Sequence, residues 1–169
     1  MRLDRFTLRV RKLFRLLSSW RNETRTNRLN RSTCWPAMLE QPEGIVRPIL
    51  GKPRSTCTVV SNDVQAAIAR FPRVQGGQQY FSPRLKSGLH RRAKAGRVEM
   101  QDEFISTEHL LLAIADEKDG EAGKLLRQHG VKRDDLLKVI EQMRGGSRIT
   151  DQNAEAELSG AIEVRARSD

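Results

Sequence analysis

Phe104-Ile-Ser-Thr-Glu-His-Leu-Leu-Leu-Ala-Ile-Ala115, continued by Asp116-Glu-Lys-Asp-Gly-Glu-Ala-Gly-Lys-Leu-Leu126, decides the fold class. Ser106 stands where an N-cap hydroxyl is wanted, and Glu108 falls in the first turn, against the positive end of the helix. Leu110, Leu111, Ile114 and Ala115 then form one apolar stripe. Gly120 ends or interrupts that helix, and Ala122, Leu125 and Leu126 make the next short one, closed by Gly130. From Asp134 onward, Leu136, Leu137, Val139, Ile140 and Met143 keep the helical period until Gly145-Gly146 terminates it. Strand signals are nearly absent, so the expected class is all-α.

The rest of the chain is organised around an internal duplication. Phe6-Thr-Leu-Arg-Val10 aligns with Phe81-Ser-Pro-Arg-Leu85, and Ala37 to Gly44 aligns with Ala113 to Gly120, at offsets of 75 and 76 residues. A repeat this long predicts one supersecondary unit used twice, neither copy able to bury its apolar face alone. Ser82-Pro83 is the expected N-cap and first-turn proline of the second unit, and Gly76-Gly77-Gln78-Gln79 the connector before it. The predicted architecture is two pseudo-symmetric four-helix repeats, about 1–74 and 79–144, within a domain spanning 1–148. Residues 149–169 are expected as an extended, linker-like or disordered tail, being polar and poor in large apolar side chains.

No catalytic constellation emerges. Gly120-Glu-Ala-Gly123-Lys124 is too short for a phosphate-binding loop, and Leu125 stands where a magnesium-binding hydroxyl is needed. His90, His109 and His129 are isolated, and Cys34 and Cys57 lack metal-ligand spacing or a supporting base. His109, beside Leu110, is expected as a partly buried structural residue. Neither a catalytic group, a cofactor nor a metal is expected, and no run approaches the roughly 18–20 apolar residues of a membrane span.

The stretch from Phe104 through Arg144-Gly-Gly-Ser-Arg-Ile-Thr-Asp-Gln-Asn-Ala-Glu155 resembles the second half of the N-terminal domain of the ClpB family of ATP-driven disaggregases, together with the linker that follows it. MRLDRFTLR at 1–9, AMLEQPEGIVRPILGK at 37–52 and NDVQAAIARFPRVQGGQQYFSPRLKS at 62–87 resemble earlier parts of that domain, in order. The resemblance implies a cytoplasmic substrate-capture domain that binds unfolded or aggregated polypeptide, with the AAA+ ATPase modules of the parent chain as partners. It also implies substrate-binding roles for Thr7, Asp102 and Glu108. Capping explains Thr7 and Glu108 equally well, at roughly 0.5–1 kcal/mol each. Met38, Leu39, Ile45, Val46, Ile49 and Leu50 are candidates for an apolar groove or for the core, with the core the expected place of most of them. An adaptor-docking N-domain of a Clp protease unfoldase is the nearest alternative; the segment SPRLK at 82–86 favours ClpB.

Four stretches match nothing in that family: 10–36, 53–61, 88–98 and 158–169. They carry +6, +1, +4 and zero charge, together +11 of a net +10, so the family-like remainder is −1. Both tryptophans and both cysteines lie in them as well. Codon degeneracy allows 10–36, in a shifted frame, to read PEAFQAAQQLAERNPNKQIEPEHLLA, and 158–169 to read YQALLKYGRDL. These stretches therefore read as frame-shifted pieces of a ClpB-like reading frame that breaks off before the first ATPase module. A basic nucleic-acid-binding protein, the alternative that charge alone suggests, loses its support once the charge is confined to them. Within them, Val10, Leu13, Phe14 and Leu17 keep a helical stripe. By contrast, Gly88 and Gly96, at about 1 kcal/mol each against Ala, predict a poor helix over 88–98.

Overall fold

The computed structural model describes residues 4–19, 28–29, 31–41, 44–50, 54–70, 80–81, 84–158 and 160. Helix α1 is Leu8–Ser19, followed by a two-residue strand β1, Arg28–Leu29, and by α2, Arg31–Glu40. A single turn α3, Val46–Ile49, leads to α4, Arg54–Ala69. The second half opens with β2, Tyr80–Phe81, and a π-helical segment Arg84–Leu89 that runs into α5, His90–Glu99. Helices α6 (Thr107–Ala115), α7 (Glu121–Gln128) and α8 (Arg133–Arg144) complete it. The fold is all-α apart from short parallel pairings between the halves.

Those pairings carry the internal repeat into three dimensions. Phe6 bridges Ile105 in parallel, with Thr7 N donating to Ile105 O at 3.0 Å and Ile105 N to Arg5 O at 2.8 Å. Strand β1 pairs with β2 in parallel, with Leu29 opposite Phe81. At the 75–76-residue offset Phe6 corresponds to Phe81 and Leu29 to Ile105, so the two pairings are images of each other with the repeats exchanged. Helices α1–α4 correspond in the same way to the helices from Arg84 to α8. Inter-repeat packing of α4 and α2 on α7, and of α3 on α6 and α8, closes one body.

The apolar stripes meet in one core, including Phe6, Val10, Leu13, Leu17, Met38, Ile45, Leu110, Leu111, Ile114 and Ile140. Phe6 and Phe14 stack edge to face, with ring centroids 5.7 Å apart. The would-be groove residues Met38, Leu39, Ile45, Val46 and Ile49 are all core, and Leu50 packs against it half-buried. Gly145 takes the left-handed conformation, φ 56°, that ends α8, a conformation costing an L-residue roughly 1–2 kcal/mol. Gly123, far from being part of a phosphate loop, lies inside α7. A Cβ there would stand 2.4 Å from Glu117 O and 2.7 Å from Ile114 O.

The segments expected to lie outside the family resemblance fold unequally well. Residues 10–17 supply the α1 stripe as expected. Residues 88–98 do form a helix, contrary to the poor one expected: Leu89 and Ala93 enter the core, and Gly96 lies over His109 and Leu112. Tertiary packing has overridden intrinsic propensity there. Helix α2 carries Pro36 in its interior, where a ladder hydrogen bond is lost at about 3 kcal/mol. Its neighbour Trp35 is fully buried, with Nε1 lacking a hydrogen-bond partner among the described residues.

The expected tail differs from the structure over its first ten residues. Residues 149–158 lie on the body, ending in a helical turn at 154–158, and Ile149, Ala154 and Leu158 bury themselves beside Phe104 in a cluster apart from the main core. Hydrogen-bonding groups on the body, rather than a strong apolar pattern in the segment, draw it in. The connector at 76–79, the N-cap pair Ser82-Pro83 and the terminal residues 161–169 lie outside the described residues.

Candidate functional site

Thr7, Asp102 and Glu108 come from three different places in the chain. Thr7 precedes α1, Asp102 follows α5, and Glu108 is in the first turn of α6. The parallel bridge between Phe6 and Ile105 places the first beside the second repeat. Gln101, a non-glycine residue at φ 56°, reverses the chain after α5, and Asp102 N returns to Arg97 O at 2.9 Å. All three side chains are buried, at 0%, 5% and 1% exposure respectively, so none is presented to solvent.

Arg144, in the last turn of α8, joins two of them. Its Nη1 donates to Asp102 Oδ2 at 2.7 Å, its Nε to Glu108 Oε1 at 3.1 Å and its Nη2 to Glu108 Oε2. Asp102 also accepts from Ile149 N on Oδ1 at 2.7 Å. Burial alone would raise the Asp102 carboxyl; the close approach of His109 Nε2 and the hydrogen bonds from Arg144 and Ile149 outweigh it and hold the group below its usual range. Burial likewise opposes the charge on Arg144, and Glu108 and Asp102 overcome it, raising the guanidinium further.

Ser106 and His109 lock the start of α6. Ser106 N donates to His109 Nδ1 at 2.9 Å, so histidine fills the place that Glu or Gln occupies in a capping box. With Nδ1 accepting, the proton of a neutral ring sits on Nε2. That atom lies 2.9 Å from Asp102 Oδ2 but lacks the alignment of a full hydrogen bond. His109, expected to be partly buried, is fully so. Ser106 Oγ donates to Glu108 Oε2 at 2.7 Å.

Thr7 reaches the same neighbourhood through Glu155. Thr7 Oγ1 donates to Glu155 Oε2, while Thr107 N and Oγ1 donate to Oε1, the amide at 2.8 Å. Burial first, and then the nearby charge of Glu108, push the Glu155 carboxyl up. Thr7 also has the capping contact weighed against function, Val10 N to Oγ1 at 3.4 Å. Glu108 spends its oxygens on Arg144 and Ser106 rather than on its own helix terminus.

Sequence reasoning missed Arg144 and Glu155, the two residues that tie the site together. Glu155 sits in a polar stretch and carries no local signal of burial. At the repeat offset, Asp102, Glu108, His109 and Arg144 correspond to Thr26, Ser32, Thr33 and Ile68, so the charged network belongs to the second repeat alone. The basic residues of 88–98 are partly committed elsewhere: Arg92 lies 3.3 Å from Asp116, and Arg97 donates to Asp102 O and Glu103 O at 2.9 and 3.2 Å. Among the described residues no group of acidic, His or Cys side chains could hold a metal, and no helix is long and apolar enough to cross a membrane.

Comparisons with known proteins agree with this architecture. Residues 5–129 match the family described as the Clp repeat (R) N-terminal domain. The chain is 35% identical over 121 residues to the chaperone protein ClpB of Rhodopirellula baltica, covering 71% of this chain and 14% of that protein. It is 41% identical over 96 residues to ClpB of Enterococcus faecalis, covering 55% and 11%. A likeness at 12% identity, with a TM-score of 0.65, extends to the crystal structure of the Hsp104 N-terminal domain from Candida albicans, over 89% of this chain and 98% of that one. The chain thus spans a small fraction of the length of the curated relatives it matches.

Proposed function

The chain belongs to the Clp repeat (R) N-terminal domain family, and from that membership we propose that it is the substrate-capture domain of a ClpB-type chaperone. It binds unfolded or aggregated polypeptide in the cytoplasm and delivers it to AAA+ ATPase modules of the parent chain. The match over residues 5–129 carries this reading. The domain itself is not an ATPase: Gly123 and Lys124 belong to a packed helix, and the chemistry of the domain is binding.

Thr7, Asp102 and Glu108 act together in capture, with Arg144 joining Asp102 to Glu108. Their burial means that substrate reaches them only when the covering segment moves. Binding through main-chain hydrogen bonds and apolar contact persists at high salt, whereas phosphate contacts weaken steeply as salt rises.

The test is a binding titration of a fluorescent, reduced and alkylated polypeptide against its native counterpart at 50 mM and 500 mM salt. Preference for the unfolded form at both salts, without ATP turnover, is expected. Equal binding of both forms would sink capture, and loss of all binding at high salt together with DNA retention at low salt would favour the basic-protein alternative.

A further inference from the structure

Residues 149–158 cover a surface of the domain, non-helical at their start and in a helical turn at 154–158, so the present occupant of that surface is the chain's own sequence. The occupant's main chain is held at three points. Ile149 N donates to Asp102 Oδ1 at 2.7 Å, Ile149 O accepts from Glu103 N at 2.9 Å, and Gln152 O accepts from Leu8 N at 2.8 Å. Two side-chain anchors complete the grip. The Glu155 carboxyl takes Thr7 and Thr107, and Ile149, Ala154 and Leu158 pack around Phe104. Main-chain bonds give affinity without reading sequence. The same surface therefore suits a polypeptide that is non-helical at an apolar residue over Phe104 and then turns, as 151–158 do, to bring a group that accepts from Thr7 and Thr107 six positions on.

We propose that 149–158 is an intramolecular strap lying where captured polypeptide lies, and that capture proceeds by exchanging strap for substrate. This rests on the capture function proposed above. Its basis is geometric: all three residues assigned to substrate binding are buried, and the strap touches two of them, Asp102 through Ile149 and Thr7 through Glu155. The strap's apolar cluster is separate from the main core, so it can leave without opening the body. A tethered occupant competes at an effective concentration in the millimolar range for a short linker, which makes apparent affinity for free polypeptide weak.

Three full-length chains test it: wild type, Ile149→Asp and Glu155→Arg. Each is titrated with a labelled, permanently unfolded polypeptide, and amide exchange is followed at Ile149 and Thr107. Both variants should lose protection at these amides and bind at least about tenfold more tightly, the gain expected when the open fraction in wild type is about a tenth or less. In wild type, saturating polypeptide should deprotect Ile149. Equal or weaker binding by strap-released variants overturns the strap, as does an Ile149 amide that stays protected in saturated wild type. The latter measurement decides alone if a variant fails to fold. Absence of polypeptide binding by all three chains sinks the capture function and the strap with it, an outcome distinct from equal binding by all three.

Discussion

Replacing Arg144 by Met should be among the most damaging single changes in this domain. The substitution keeps much of the side-chain volume but removes the guanidinium that bridges the Asp102 and Glu108 carboxylates. Asp102 would keep Ile149 N and the approach of His109, while Glu108 would keep Ser106 Oγ. Removing one partner of a buried ion pair typically costs about 3–5 kcal/mol, because the remaining charge is stranded. For a domain with a total stability of about 5–15 kcal/mol, that is a large share. With a urea m-value of about 2 kcal/mol/M, the midpoint should fall by roughly 2 M. Urea unfolding followed by the fluorescence of Trp35 and Trp20 measures it. Adding Asp102→Asn and Glu108→Gln to Arg144→Met should recover much of the loss, since the stranded charges are then gone. A midpoint shift below about 0.5 M for the single variant, or no recovery in the triple, would refute an energetic role for the network and leave Arg144 as an incidental contact.

Further outcomes follow from other contacts. The raised Glu155 carboxyl keeps its proton in the folded state after the unfolded chain has lost it, so its contribution is fully present below the ordinary Glu range and is lost as pH rises through the folded value. Glu155→Gln should therefore gain stability on wild type as pH rises from 4 to 8 in parallel thermal melts; a constant difference would show that folding does not raise the Glu155 carboxyl. Asp102, held low, has the opposite sign, and its contribution should disappear as pH falls below the ordinary Asp range, an effect that Asp102→Asn abolishes. The same substitution should act in opposite senses at two glycines. Gly123→Ala meets the backbone oxygens of Glu117 and Ile114 and should destabilise by about 1–3 kcal/mol. Gly96→Ala meets only ordinary contacts, the nearest at 3.6 Å, and should stabilise by about 0.5–1 kcal/mol. Urea midpoints moving in the same direction for both would refute the packing argument.

What was legible in the sequence is what periodicity reports. The stripe at Leu110, Leu111 and Ile114 and its repeat partner gave α6 and α2, and the 75–76 offset led to the paired four-helix plan. The two parallel pairings were invisible because two residues cannot display alternation. Residues 149–158 looked like tail because docking there rests on three main-chain bonds and on Glu155, whose polarity argued for solvent. Helix formation over 88–98 was underestimated because Gly96 was weighed by its intrinsic cost, without the close α5–α6 contact it occupies. Thr7, Asp102 and Glu108 could be named from resemblance, but their common neighbours could not: Arg144 and Glu155 follow only once Phe6 is seated against Ile105.

That seating has a consequence for how the polypeptide is made. Each pairing joins the opening of one repeat to a segment of the other, and Phe6 and Ile105 are separated by 99 positions in the chain. At a synthesis rate of about 5–20 residues per second, Phe6 waits roughly 5–20 s after its own emergence before its partner exists. Over that interval the first repeat carries unpaired main-chain edges on both sides of α1, and an apolar stripe that only the second repeat covers. A nascent chain of this fold is thus obliged, for seconds, to be the kind of exposed polypeptide that its family is proposed to recognise.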